Sequence, residues 1–390
     1  MTHWPFPNAT PEAWLERLVR EGGSPAPYTY LSEVQLPPVL TQRPDGPAAA
    51  RGAQATQTAY LLPRHPVQGV AEPPQLALDL AAEHLLWLPA SGATYAPPAS
   101  LPLPCSVLLM PGTPAPAQLP ECARVYADPH THHAEGVAPP NPWPFEPILD
   151  LHRVAAWGAD PVHELAYLRL ALAEPQTAAP AAVVVSVGLS VLLELGKLAA
   201  LRRLLPPHTP LWVLPALTNW SATDPTTNLI RCTLQAFVAF AGGADRWVGY
   251  PHDNPLASTD PLAHRLTLTL PALLRHEGHI QRVHGPLAGA YATEHLADTL
   301  LAQSEALANQ LSAAGTLAQA LAPAGALRTA IQAHAQAQVA QYRTQQATLV
   351  GVTRYAPATE ALGKTPAAPV YPPFDPTGGL HPWSLEASLA

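Results

Sequence analysis

Ala182-Val183-Val184-Val185-Ser186-Val187, then Val191 to Leu205, then Leu211-Trp212-Val213-Leu214: these three runs decide the fold class. The first is a short apolar run rich in β-branched residues, which reads as a buried strand. The second has the length and spacing of a helix, and the third is again a strand. Working outward, Pro161 to Ala173 and Asn228 to Ala241 read as helices. Trp247 to Tyr250 reads as a strand, followed by a helix through the 260s and 270s. Strands alternating with helices of about 10–15 residues indicate parallel βαβ units. Upstream, Leu76 to His84 reads as a helix and Leu85 to Leu88, Cys105 to Met110 and Ala123 to Ala127 as strands, with Ile148 to Leu151 a weak fourth. No G-x-G-x-x-G follows the first strand, so a dinucleotide fold loses its main support and a TIM-type (β/α)8 barrel, possibly degenerate, is the better expectation.

The flanks differ from this body. Pro11 to Val19 reads as a short amphipathic helix with Thr10 as N-cap, and residues 36–75 are rich in Pro, Gly and Gln. Residues 1–75 are therefore expected to be an N-terminal helix and extended arm, 76–355 the barrel with its C-terminal helices, and 356–390 a Pro-rich tail. Residues 292–349, rich in Ala, Leu and Gln, read as one or two long helices that pack on the barrel or on a partner chain.

Composition excludes several classes. The 390 residues are 48% hydrophobic and only 12% charged, as in a globular protein. The net charge of -8 argues against a nucleic-acid partner, because phosphate binding needs clustered Lys and Arg. The most apolar run, Ala181 to Leu195, is too short and too interrupted for a bilayer span, so no membrane role is expected. Cys105, Cys122 and Cys232 form no C-x-x-C pair, which favours a reduced, cytoplasmic chain with three buried thiols. The segment Gly188-Leu189-Ser190-Val191-Leu192 lacks the second Gly of a nucleophile elbow and reads as a helix entry.

Several motifs then fall in a familiar order. The strongest is Thr218-Asn219-Trp220-Ser221-Ala222-Thr223-Asp224-Pro225-Thr226-Thr227-Asn228-Leu229-Ile230-Arg231. It leads to Gly242-Gly243-Ala244-Asp245 and Pro251-His252-Asp253. Gly158-Ala159-Asp160 with Glu164-Leu165-Ala166 and Glu194-Leu195-Gly196-Lys197-Leu198 lie before it. Gly285 to Tyr291 with Glu294, and Gly351-Val352-Thr353-Arg354-Tyr355, lie after it. In this order they resemble the methylmalonyl-CoA mutase family, whose segments read T-S-x-W…D-P-x-x-N-x-x-R, G-G-A-D…P-F-D, D-P-A-G-G-S-Y-x-x-E and G-V-N-x-Y. Phe6 to Trp14 fits the family's entry as well. Independently of the resemblance, Asp224 is a natural N-cap before Pro225, and Asn228 and Arg231 share a helical face from which they can hold the preceding loop.

The resemblance implies a barrel that takes an acyl-CoA thioester, and a separate adenosylcobalamin domain where a radical rearrangement of the carbon skeleton begins. Thr218, Asn219, Trp220, Asp224, Asn228 and Arg231, at the C-terminal barrel rim, become the candidate substrate-binding residues. Two departures qualify this. Residues 356–390 are too few for the cobalamin-binding Rossmann-like domain. Neither Asp128-Pro129-His130 nor Asp150-Leu151-His152 has a Gly three residues after its His, as the family's D-x-H-x-x-G requires. Pro215 also stands where the family places a substrate-contacting His, three residues before Thr218. The chain therefore resembles the family's non-catalytic small subunit, an isomerase component inactive alone. Adenosylcobalamin would be bound only by a large catalytic partner in a heterodimer.

Two alternatives compete. One is a barrel scaffold or interaction protein without substrate. The other starts from Asp128-Pro129-His130-Thr131-His132-His133, whose D-x-H-x-H resembles the first metal motif of amidohydrolases, also barrels; Asp128, His130 and His132 would be its ligands. The plain reading of that segment is a solvated loop, and no metal is expected.

Overall fold

The computed structural model describes residues 57–61, 84–87, 100–101, 103–109, 111, 121, 123–137, 145–174, 179–206, 208–256, 260–280, 287, 289–356, 373–375 and 380–389. The expected helix at Pro11–Val19, all but the last residue of that at Leu76–His84, the entry motif at Phe6–Trp14, and Gly285 and Pro286 lie outside these residues.

Among the described residues, nine strands form one parallel sheet: β1 (Gln57–Leu61), β2 (His84–Trp87), β3 (Cys105–Leu108), β4 (Ala123–Ala127), β5 (Glu146–Pro147), β6 (Leu149–Asp150), β7 (Val183–Val187), β8 (Leu211–Pro215) and β9 (Arg246–Gly249). Their order is β5-β4-β3-β2-β1-β9-β8-β7-β6, and every pairing is parallel. The two strands at the ends of that order are separated in the chain by Ile148 alone. Tyr126 and Ala127 pair with Glu146 and Pro147, whereas Leu149 and Asp150 pair with Val183 and Val184. The fold is thus α/β with a parallel sheet, as the alternation of apolar runs implies.

The helices are α1 (Pro129–Ala134), α2 (Leu151–Ala156), α3 (Pro161–Ala173), α4 (Val191–Leu204), α5 (Pro225–Ala241), α6 (Pro261–His276), α7 (Tyr291–Ala314), α8 (Leu317–Leu321), α9 (Ala326–Arg343) and α10 (Leu385–Leu389). Four begin alike. Asp128, Asp160, Asp224 and Asp260 are N-caps, each followed by Pro at the first helical position. The carboxylate takes an otherwise orphaned amide, and Pro loses nothing there because its missing N–H would be unpaired anyway.

Strands β7 and β8 are buried along their whole length, which is why both read as unbroken apolar runs. The main core joins them to Trp157, Tyr167, Leu198, Trp220 and Trp247. Helix α7 lies across α3 and α4. Its approach depends on Gly196, where a Cβ would stand 2.7 Å from the Cβ of Leu296.

Three expectations are corrected. Strand β1 lies inside the stretch expected to be an arm and occupies the middle of the sheet; Gln-Thr-Ala-Tyr-Leu has no apolar run, and only its pairing to β2 and β9 defines it. The segment after β4 is helix α1 rather than a solvated loop, with Asp128, Thr131 and His132 buried. Finally, the end of the expected tail is docked: Leu380, Trp383 and Leu385 are buried, Trp383 and Leu385 against Ala335, Val339 and Leu349 of α9 and the turn beyond it.

Candidate functional site

Parallel α/β sheets place their ligand sites at the C-terminal ends of the strands, where successive loops converge. Here the ends of β4, β6, β7 and β8 carry a set of buried polar groups. Asp128 follows β4. Its Oδ1 accepts the His130 amide at 2.9 Å, and its Oδ2 accepts the Asp150 amide at 2.8 Å and the Tyr167 hydroxyl at 2.7 Å. Asp150 ends β6 and caps α2, accepting the Arg153 amide at 2.9 Å. Burial raises both carboxyls; for Asp150 the neighbouring Asp128 charge adds to it, and the pKa reaches about 7. Tyr167 is pushed well above its ordinary range by burial and by the Asp128 carboxylate it faces.

Around this pair the charges are neutralised locally. Arg153 makes a bidentate contact to Glu135 at 2.6 and 2.7 Å, and Glu135 also accepts the Trp157 indole N–H at 2.7 Å. Behind the ends of β7 and α4, the buried Lys197 ammonium lies 3.1 Å from Glu164 and 2.8 Å from Glu194, and donates to the Ser186 carbonyl at 2.8 Å. Burial pushes Glu164 up to about 8 against the pull of Lys197, whereas the two carboxylates outweigh burial and raise Lys197, so the lysine stays charged.

Between these clusters is a small pocket lined by His152, Ala155, Ala156, Ser186, Ala216, Leu217, Thr218, Pro382 and Trp383. It leaves about 20 Å3 for the centre of a water-sized sphere, enough for one water molecule. His152 is 5% exposed, and its Nδ1 has no hydrogen-bond partner among the described residues. Burial, reinforced by Arg153 and Lys197, lowers its pKa to about 3, so the ring is neutral at physiological pH.

Of the six residues expected to bind substrate, only Thr218 lines this pocket. Asn219 is partly exposed, and its Oδ1 is buried without a partner among the described residues. The other four hold the loop together. Trp220 is buried and donates to Gln235 at 3.2 Å; Gln235 in turn donates to the carbonyls of Val187 and Ala216. Asn228 is fully buried, accepts the Ser221 amide at 2.9 Å, and donates to the carbonyls of Ser221 and His252 at 2.8 and 3.0 Å. Arg231 donates to Asn228 at 2.8 Å and to the Val350 carbonyl. Asp224 caps α5 through the Thr227 amide at 3.3 Å and also accepts the Thr227 hydroxyl. The predicted role of Asn228 and Arg231 in holding the preceding loop therefore agrees with the structure.

The D-x-H-x-H segment does not assemble ligands. His130 and His132 are two apart on a helix, which turns them to different sides, whereas alternate residues of a strand would point the same way. The His132 ring Nδ1 is 2.9 Å from the Asp128 carbonyl, and both carboxylate oxygens of Asp128 are engaged. No metal-holding cluster of His, Cys, Asp or Glu exists among the described residues.

Residues 212–370 match the family model for methylmalonyl-CoA mutase. Over that stretch the chain is similar to methylmalonyl-CoA mutases. It is 31% identical over 105 residues to the methylmalonyl-CoA mutase of Escherichia coli K12, covering 26% of this chain and 15% of that protein. Against the probable methylmalonyl-CoA mutase small subunit of Mycobacterium tuberculosis H37Rv it is 31% identical over 180 residues, 43% of this chain and 26% of the relative. A small subunit from Streptomyces virginiae is 35% identical over 77 residues, 20% of this chain and 12% of the relative. The mutase-like chain thus spans well under two thirds of these relatives. The flavin-binding domain of baker's yeast flavocytochrome b2 aligns over 68% of this chain and 76% of that chain at 8% identity and a TM-score of 0.31, a likeness too slight to bear on the fold.

The Asp128–Asp150–Tyr167 cluster and, Thr218 apart, the pocket lay outside the family motifs. The Asp-x-His repeats at 128–130 and 150–152, the first directly after a strand and the second beginning on the last strand residue, were the available signal.

Proposed function

We propose that this chain is the non-catalytic subunit of a cobalamin-dependent acyl-CoA mutase, a cytoplasmic barrel that pairs with a large catalytic subunit and supports carbon-skeleton isomerisation there. The barrel part of this reading rests on Ile148. Residues 146–150 pair with β4 on one side and β7 on the other, so counting them as one strand closes eight strands into a ring. The barrel body then runs from residue 57 to about 355.

The observation that carries the partner is a stripe on α5. Ile230, Leu234 and Phe237 recur at helical spacing and are 64%, 43% and 41% exposed. Apolar residues aligned on one outward helical face mark a protein contact. Leu262 and Leu273 of α6, the helix beside α5, are exposed as well.

The non-catalytic assignment rests on the rim. Trp220, Asp224, Asn228 and Arg231 have their polar groups engaged within the fold, Pro215 offers no side-chain donor or acceptor, and the pocket has room for one water molecule and not for a thioester. On this reading Thr218 and Asn219 are kept as candidate ligand contacts, Thr218 because it lines the pocket. The described residues also do not fit cobalamin: His152 is buried in the pocket, and His130 faces Glu174 at 3.9 Å. The cofactor is assigned to the partner, and no step is routed through it. No described helix is long and apolar enough to cross a membrane.

Co-expression with a mutase large subunit tests the reading. A stable heterodimer by light scattering, with mutase activity requiring both chains and association abolished by Ile230→Asp with Phe237→Asp, is expected. A large subunit equally active and monodisperse alone would sink it and favour the scaffold alternative.

A further inference from the structure

Tyr126 of β4 and Trp212 of β8 are five strands apart in the order of the sheet, about 24 Å in a flat one. Their rings nevertheless meet edge to face, with centroids 4.9 Å apart. The sheet therefore curls until side chains from distant strands share its concave side. Arg246 of β9 is among them: its guanidinium lies 4.4 Å from the centroid of the Trp212 ring and 3.5 Å from Ser106 Oγ of β3. Register adds a second cation to this face. Arg124 is the Cα partner of Ser106 and stands two residues before Tyr126, so it leaves β4 on the same side. Ser106, Arg124, Trp212 and Arg246 are each the first or second residue of their strands. The group thus sits at the N-terminal mouth of the sheet, at the opposite end from the rim.

Arg246 lacks the counter-charge that its counterparts have. Arg153, Arg169, Arg202 and Arg203 each make an ion pair with a carboxylate. No carboxylate pairs with Arg246 among the described residues, and its neighbour Asp245 is held by Arg202 at 2.6 Å. Its Nε is buried with no partner among the described residues, and the contact to Ser106 is longer than an ordinary hydrogen bond. Burial lowers its pKa to about 10, which leaves it charged at neutral pH. A guanidinium held partly off water without an anion is unfavourable, and an arriving anion offsets that cost. The residue is still partly exposed, so solvent reaches it. The Arg124 side chain is 72% exposed, and its pairing with Glu146 at 3.7 Å is of the solvated kind that carries little weight.

We propose that this mouth is an oxyanion site, in which Arg246 and Arg124, on either side of Ser106, hold one phosphate group. Two guanidiniums suit a doubly charged tetrahedral oxyanion better than a carboxylate, and the Trp212 ring fixes the plane of one of them. Free phosphate and the phosphate of a small monoester offer the same chemistry. The inference is independent of the rim and of the mutase reading.

Isothermal titration calorimetry on the full chain tests this, with inorganic phosphate as the probe in sodium chloride of constant ionic strength. One phosphate should bind per chain with a Kd of about 1 mM or tighter. Acetate should bind at least tenfold more weakly. Arg246→Met, which fills similar space without charge, should weaken phosphate at least tenfold, and Arg124→Gln, at an exposed position, at least threefold. Thermal unfolding gives a second readout: phosphate should raise the midpoint of the wild type and leave that of Arg246→Met in place. No saturable binding to the wild type, acetate bound as well as phosphate, or binding and stabilisation unchanged by the substitutions would each overturn the proposal. If Arg246→Met misfolds, the wild type and Arg124→Gln still decide the matter. Glycerol 3-phosphate separates the two sources, since its competition with phosphate upholds a monoester site and its exclusion upholds one for the free ion. No thioester or partner chain is involved, so failure here is separable from failure of the mutase reading.

Discussion

The Asp128 carboxylate accepts the backbone N–H of Asp150 at 2.8 Å. One side chain at the end of β4 thereby fixes the main chain at the end of β6, and brings a second carboxylate into the same buried space. Two acids so placed cannot both ionise cheaply, and Asp150 carries part of that cost.

Asp150 therefore sets a pH dependence with a definite sign. Its folded pKa of about 7 lies above the ordinary 3.8, so the folded state holds a proton that the unfolded chain releases. The contribution is neutral below pH ~4 and destabilising as pH rises towards 7, amounting to at most about 4 kcal/mol. Asp150→Asn keeps an acceptor for Arg153 and removes the titration. Urea unfolding from pH 4 to 8 should show the variant gaining on the wild type steadily with pH; a constant difference would contradict the assignment.

His152 acts in the opposite sense. Its folded pKa of about 3 lies below 6.5, so its stability contribution is complete above pH ~6.5 and is lost as pH falls towards 3. His152→Leu should leave stability at pH 8 within about 1 kcal/mol of wild type and flatten the acid limb by up to about 5 kcal/mol. An acid limb as steep in the variant as in the wild type would assign that loss to other groups.

Asn228 is the hub of the loop before α5. Asn228→Ala strands the Ser221 amide and carbonyl and the Arg231 contact in a buried site. Unpaired buried polar groups cost about 1–3 kcal/mol each, so a loss of about 3 kcal/mol by thermal or urea unfolding is expected. A loss below about 1 kcal/mol would mean the loop is held otherwise.

Gly196 is a test of the helical layer. Any Cβ there collides with Leu296, so Gly196→Val should push α7 off α4 and cost about 2–3 kcal/mol. Gly196→Val combined with Leu296→Gly, which removes the Cβ it meets, should cost less than the sum of the two single changes, as a double-mutant cycle would measure.

The legible parts of the sequence were those in which a local pattern and burial coincide. Val183–Val187, Val191–Leu204 and Leu211–Pro215 are buried on both faces of their strands or on a broad helical face, so composition alone marks them. Gln57–Leu61 has no such mark, because its place in the sheet is set by β2 and β9, which are far away in sequence. Helix α1 is six residues with three His and no apolar period, and what holds it is the Asp128 cap. The docked end at residues 380–389 was masked by its proline-rich surroundings, although Leu380, Trp383 and Leu385 are the kind of spaced apolar anchors that signal docking. The loop-holding role of Asn228 and Arg231 was readable from their one-turn spacing. The Asp128–Asp150–Tyr167 contact was not, since its members are up to 39 residues apart.

Ile148 has a consequence for how the molecule is divisible. The chain passes there from one flank of the sheet to the other, so the strands fall into two sets, β1–β5 before it and β6–β9 after it. Apart from that peptide, the strand pairing that unites them is β1 against β9, reinforced by the Gln57 amide donating to the Asp245 carbonyl at 2.9 Å. Severed at Ile148, the protein becomes two complementary fragments, each carrying a contiguous block of parallel strands. The seam they share is the most natural place to reassemble it from separately expressed halves.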